Sequence, residues 1–276
     1  MKKILFTLIL AGILTSCGDK KKDYLVKIKT SYGDMTVLLY DETPLHKKNF
    51  LELAKAGKFD STIFHRVMKD FMIQGGNFYE KEGTNEPEEA KIPANFVEGF
   101  YHTKGTLAAA RQPDNVNPDK KSSSCQFYIV DGTPWEMMST DINTLYAKMT
   151  ELLQDPANSE LMEEYQAVYA KRDNNAIMEF LVSKKSMVEE KFGISVSIDP
   201  KTGNNDAYKD LGGAPHLDGE YTIFGKVVEG MDVIDKIAAV KVGRANRPVN
   251  PVPMTMEIVE MKKKDITEQY GYVYQD

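Results

Sequence analysis

Read for the spacing of its apolar positions, the chain predicts short strands separated by turns. Residues 24–29 alternate apolar and polar side chains, 31–34 carry turn formers and 35–40 are apolar again, which predicts a β-hairpin. Thr43-Pro44 supplies a cap and a first-turn proline for a helix that carries Phe50, Leu51, Leu53 and Ala54 and stops at Gly57. Strand-like runs follow at 63–68, 71–75, 105–110, 126–130, 221–228 and 254–261, set apart by loops rich in Gly, Pro and Asn, with one more helix over 231–239. Short strands at this spacing with so few helices predict a mainly β fold, a closed barrel capped at its ends.

Residues 139–192 break the rhythm. Ile142, Leu145, Tyr146, Met149, Leu152 and Leu153 recur at helical spacing, as do Leu161, Met162, Tyr165, Val168 and Tyr169, and then Ile177, Phe180, Leu181 and Val188. Pro156 and Gly193 punctuate the block, which predicts a two- or three-helix insertion within 133–211. Strand-like sequence resumes afterwards, so the ends of the insertion must lie close together. Its apolar stripes are expected to form its own packing rather than a partner groove.

The first 23 residues stand apart from the barrel pattern. Two lysines precede an apolar run over 4–14 that is too short to span a bilayer, which predicts a secretory signal over 1–16. The run ends in Leu14-Thr15-Ser16-Cys17-Gly18, which resembles the bacterial lipobox. That resemblance implies Cys17 as the lipidated N-terminus of the mature chain, with 17–23 as a solvated tether to a membrane surface. A cell-envelope, extracytoplasmic location follows, at the periplasmic face or the outer membrane.

Composition narrows the function classes. The 276 residues carry 35 basic and 41 acidic side chains, a net charge of −6, and no basic cluster, so nucleic-acid binding is not expected. Beyond Cys17 only Cys125 remains, so no intramolecular disulfide is available, and a buried structural thiol is the expectation. Neither clustered histidines nor paired cysteines suggest a metal, and no cofactor is implied. His46 and His102 carry no partner pattern and read as surface residues; His65 reads as a hydrogen-bonded structural residue.

The informative stretch is 64–78, Phe-His-Arg-Val-Met-Lys-Asp-Phe-Met-Ile-Gln-Gly-Gly-Asn-Phe. It sets Arg66, a permanent cation with a rigid fork of donors, among aromatic and thioether side chains, a poor core position unless carboxylates or a ligand hold it. Gly75-Gly76 lacks the Gly-Lys-Ser/Thr continuation of a phosphate loop and reads as a turn or a close backbone approach.

This segment resembles the active-site strand and turn of the cyclophilin-type peptidyl-prolyl cis/trans isomerases, and four further segments resemble that family in the same order over 24–131 and 212–261. The resemblance implies a closed eight-stranded antiparallel β-barrel capped by two helices, in two parts (24–132 and 212–264) around the insertion, with a C-terminal tail from 265 to 276. It implies Arg66 as donor to a twisted prolyl amide and Gln74 as its positioning partner, with Phe71 and Met72 lining a proline socket. Ala110, Arg111 and Gln112, after Gly105-Thr106-Leu107-Ala108-Ala109, match positions bordering the peptide; the family often has Asn at the position of Arg111, so a backbone role is what carries over there. Cys125-Gln126-Phe127-Tyr128-Ile129 gives Gln126 as a substrate contact and Tyr128 where phenylalanine is common. Gly83 and Thr84 match the edge of an adjoining pocket. His216-Leu217-Asp218-Gly219-Glu220-Tyr221 matches a Trp-Leu-Asp-Gly segment, making Leu217 and Tyr221 pocket walls. His216 stands where the family has the tryptophan associated with cyclosporin binding, so weak cyclosporin sensitivity is expected, and Trp135 is a competing candidate for that wall.

The chemistry fits the residue types. Rotation about an X-Pro bond is opposed by a resonance barrier of about 18–20 kcal/mol, and no covalent bond needs to break. An apolar socket for the ring and a cationic donor for the twisted amide meet that demand. The expected partners are proline-containing unfolded or flexible polypeptides, the membrane through the anchor, and an envelope protein through the insertion. The alternative reading is a proline-segment-binding chaperone or scaffold with little turnover.

Overall fold

The structure, a computed structural model, describes residues 21–200 and 202–274, so the signal and Cys17 lie outside the described residues. Eight strands form a closed antiparallel barrel: β1 (Lys22–Thr30), β2 (Gly33–Leu39), β3 (Thr62–Met68), β4 (Met72–Gly75), β5 (Thr106–Ala109), β6 (Phe127–Val130), β7 (Ile223–Glu229) and β8 (Pro253–Lys262). Their order around the barrel is β1-β2-β7-β5-β6-β4-β3-β8. The barrel and its strand positions are those the apolar spacing predicts.

Alternation decides what fills the interior. Val26, Ile28, Val37, Leu39, Phe64, Ile73, Leu107, Phe127, Ile129 and Phe224 pack inward with the helices α1 (Pro44–Lys55) and α9 (Met231–Ala238). An aromatic cluster sits at the centre, with the Phe50 ring 5.0 Å from Phe59 and 5.4 Å from both Phe127 and Phe224. Such pairs add about 0.5–1.5 kcal/mol each beyond area burial. Gly75 and Gly76 mark a close backbone approach, as the sequence suggests. A Cβ on Gly76, whose φ is +87°, would stand 2.4 Å from the Cys125 carbonyl oxygen. Cys125 is buried, and desolvation pushes its thiol up to about 11, the inert state expected of it.

Leu25 and Leu38 point out of the barrel, yet both are buried. The helix α10 (Lys263–Tyr270) covers them with Ile266, and Tyr272 and Tyr274 continue the cover. Their hydroxyls donate to Glu42 and Asp23, each at 2.9 Å. The segment expected as a tail from 265 is therefore a helix and strap, because two outward leucines need a lid. The expected tether also ends earlier. Strand β1 begins at Lys22, and Asp23 is buried against the Lys47 ammonium at 2.7 Å. Thr43 takes the N-cap position of α1 without a side-chain bond, its hydroxyl buried and unpartnered.

Between β4 and β5 a short helix, α2 (Phe78–Glu82), ends on Gly83 in the left-handed conformation. After β6 come α3 (Trp135–Met138), α4 (Ile142–Gln154), α5 (Ser159–Tyr169), α6 (Asn174–Ser183), α7 (Lys185–Phe192) and α8 (Asn205–Tyr208). The stripe expected as one helix over 177–188 is two, because the chain turns at Lys184, which ends α6 and starts α7. Leu145, Met149, Leu152, Leu161, Leu181, Val188 and Val196 make a separate core. The two ends of the block meet: the amides of Thr133 and Gly213 each donate to the other's carbonyl, at 2.9 and 3.0 Å. One ion pair, Lys69 to Glu179 at 2.5 Å, ties α6 to the β3–β4 turn.

His46 and His102, expected at the surface, are both buried. His46 falls on the 46/50/54 stripe of α1, which faces the core, and hydrogen-bonds Ser122 Oγ through Nε2 at 3.0 Å. His65 is partly buried, and although Nδ1 has no well-formed hydrogen bond, the Ile63 backbone is the hydrogen-bonding group beside its ring.

Candidate active site

Strict alternation from Phe64, which points inward, would also send Arg66 inward. It does not, because β3 carries a bulge: Phe64 pairs with Gly75 but Arg66 pairs with Gln74, leaving His65 as an extra residue. One inserted residue flips the strand's facing. Arg66 thereby joins the outer face, where Gln74 pairs with Tyr128, Tyr128 with Ala108, and Ala108 with Ile223 across four strands.

This row floors a socket of about 80 Å³ lined by Arg66, Phe71, Met72, Gln74, Ala110, Arg111, Tyr128, Leu217 and Tyr221. Beneath it Met72, Ala108, Ala110, Tyr128, Val130, Ala214, Leu217 and Ile223 pack as one apolar cluster. The Tyr221 ring stands edge-on to Tyr128 at 5.8 Å. Arg66 donates to Gln74 Oε1 at 3.3 Å and reaches Met68 Sδ at 3.2 Å, with its guanidinium carbon 6.0 Å from the Phe71 ring centre. Gln74 in turn donates to Gln126 Oε1 at 3.2 Å. Among the described residues no carboxylate pairs with Arg66, so its charge is held only by long, weak acceptors.

Arg111 is held very differently. Its guanidinium lies 4.6 Å from the Tyr221 ring centre and donates to the Glu220 backbone and carboxylate and to Asp114, which fixes it as a wall rather than a free donor. Burial pushes the Tyr128 hydroxyl well above its ordinary range, so it keeps its proton.

Gln74, Ala110 and Arg111 also border a second cavity of about 650 Å³, lined further by Thr84, Glu86, Lys91, Gln112 and Gln126. Gln112 faces that cavity, accepting from Lys91 at 2.8 Å, and so does Thr84; neither Gln112 nor Gln126 lines the smaller socket. Gly83 lines neither cavity. Neither His216 nor Trp135 lines the socket itself; the His216 ring lies beside it, tilted against the socket residue Phe71 with centroids 5.3 Å apart. Trp135 instead faces a separate cavity of about 630 Å³ with Lys69, Asp70 and Glu179. Met68 is a contact the sequence reading missed, although it lies two residues beyond Arg66 on one strand face.

A closed antiparallel barrel whose outer face carries an arginine-edged apolar socket defines a peptide-binding fold of the rotamase class. The chain matches the family described as cyclophilin type peptidyl-prolyl cis-trans isomerase/CLD over residues 25–152 and 161–258 and belongs to that family. It is a peptidyl-prolyl cis-trans isomerase. It is 27% identical over 260 residues to a peptidyl-prolyl cis-trans isomerase of Acinetobacter baylyi, covering 94% of this chain and 95% of that one. It is 30% identical over 243 residues to a putative bifunctional phosphatase/peptidyl-prolyl cis-trans isomerase of Streptococcus pyogenes; 85% of this chain aligns, but it spans only 38% of that longer protein. In fold it is similar to a Cryptosporidium parvum cyclophilin, with a TM-score of 0.50 at 19% identity over 87% of this chain and 97% of that one.

Proposed function

We propose that this isomerase acts on X-Pro bonds of unfolded or flexible polypeptides outside the inner membrane, held at a membrane by lipid on Cys17. One observation carries the site assignment: a permanently charged guanidinium edges an apolar socket with no carboxylate to hold it among the described residues. The proline ring enters between Phe71, Met72, Tyr128, Leu217 and Tyr221. As the amide twists, resonance is lost and the prolyl nitrogen gains a lone pair, to which Arg66 donates. That charge develops only in the transition state, so the donor lowers the barrier instead of merely tightening binding. Gln74, held by Gln126, keeps Arg66 aimed and touches the substrate backbone. Ala110, Arg111 and Gln112 border the flanking residues along the larger cavity. The exposed Tyr146 and Tyr169 of the insertion supply the surface on which an envelope partner would dock.

The soluble chain beginning at Gly18 should accelerate cis-to-trans conversion of a short X-Pro peptide. Absence of acceleration by folded protein would shift the assignment to a proline-segment-binding chaperone. For the location, Cys17→Ser should move the protein from the membrane fraction to the soluble fraction; persistence in the membrane fraction would remove the lipid anchor from the proposal.

A further inference from the structure

Behind the socket lies a polar chain that the reaction itself does not require. Tyr128, a socket wall, places its hydroxyl 3.0 Å from His102 Nε2. His102 Nδ1 lies 2.9 Å from Asp218 Oδ1, and the His102 amide donates to the same oxygen at 2.9 Å. The other carboxylate oxygen accepts from the Tyr208 hydroxyl at 2.5 Å. His102, Tyr128 and Tyr208 are all buried, and the Asp218 carboxylate on which they converge is 20% exposed, so only the Tyr128–His102 bond is fully shielded from water.

An ionised carboxylate only accepts, so His102 donates to Asp218 from Nδ1, and in the neutral imidazole Nε2 is left to accept from Tyr128. The chain thus runs from Tyr128 through His102 to Asp218, with Tyr208 converging on the same carboxylate, and the charge there strengthens the bonds it receives. Tyr208 closes the helical block, in α8, five residues before Gly213. Gly213 is required where it stands: a Cβ there would lie 2.3 Å from the His102 carbonyl and 2.6 Å from the Tyr208 ring. Asp218 directly follows the socket residue Leu217.

We propose that Tyr208, Asp218 and His102 are positioning residues through which the insertion holds the Tyr128 wall of the socket in place. This rests on the reading of that socket as the proline site, and it assigns the insertion a role in substrate affinity. A wall touches the ring in ground and transition states alike, so loosening it raises KM and leaves kcat nearly unchanged.

The test is a double-mutant cycle in the full chain with Tyr208→Phe, Tyr128→Phe and both together. Both changes keep the ring and remove one hydroxyl. A proline tetrapeptide is titrated by NMR for Kd, and kcat and KM are measured on an X-Pro peptide. Each single change should weaken Kd and raise KM by about three- to tenfold, the worth of one buried hydrogen bond, and the double variant should be no worse than the stronger single. Tyr208→Phe should also shift the Tyr128 ring resonances, across two intervening residues. Additive losses, or unmoved Tyr128 resonances with an unchanged Kd, would overturn the proposal. Should Tyr208→Phe not fold, Asp218→Asn breaks the same chain and is read the same way. Failure of the isomerase reading is distinguishable: wild type would then show no turnover, while Kd and the resonances still decide the coupling.

Discussion

Replacing Arg66 with alanine separates catalysis from architecture, because the native contacts of this residue are few and weak. Its two acceptors lie at 3.3 Å on Gln74 and 3.2 Å on the Met68 sulfur, and its ring contact at 6.0 Å. Loss of such contacts should change folding stability by no more than about 1 kcal/mol. Loss of a donor aimed at transition-state charge in a dry pocket should instead cost about 3–4 kcal/mol of barrier, a 10²- to 10³-fold fall in turnover. The apolar walls remain, so peptide binding should persist and the loss should fall on kcat more than KM. Arg66→Lys should fall between the two, since an ammonium keeps the charge without the planar fork. The assay is cis-to-trans exchange of a proline tetrapeptide at low temperature, with urea unfolding of each variant alongside. A folded Arg66→Ala protein retaining turnover within about threefold of wild type would refute the assignment of Arg66 as donor.

Three further outcomes follow from the same geometry. Met72→Ala, made in a cluster where Met72 is 2% exposed, should cost about 2–5 kcal/mol in urea unfolding and raise KM as the socket widens; unchanged stability would mean the cluster collapses around the gap. Burial holds His46 down at about 4, so the unfolded chain takes up a proton first; its stabilising contribution is complete above about pH 6.5 and is lost as pH falls toward 4. Between pH 7 and pH 5 that amounts to about 2 kcal/mol, which His46→Gln should remove from the pH dependence of unfolding; an identical slope in the variant would contradict it. Cyclosporin should inhibit weakly, because His216 and not tryptophan lies against Phe71, and His216→Trp should increase its potency; tight inhibition of wild type would disprove this.

The strands were legible because their two-residue periodicity is written locally, and the order of segments placed Phe71, Met72, Gln74, Tyr128, Leu217 and Tyr221 along one face. The facing of Arg66 was not legible, since counting from Phe64 puts it inside and only its pairing with Gln74 reveals the extra residue. His102 was misread because its partners, Tyr128 and Asp218, lie 26 and 116 positions away. His46 could have been found, sharing a helical stripe with Phe50 and Ala54. The turn at Lys184 had no Gly or Pro to announce it, and so two short helices read as one.

The barrel closes by pairing β1 with β8, Lys22 opposite Lys262 and Thr30 opposite Met254. The first strand therefore leaves the ribosome more than two hundred residues ahead of one of its two neighbours. At synthesis rates of about 5–20 residues per second that is a wait of roughly 10–50 s, with one edge of β1 unpaired and open to any other strand in reach. Whatever carries this chain during that interval must keep it from closing on the wrong partner. The topology of this seam, in which the first strand pairs with the last, is of the kind that makes folding slow.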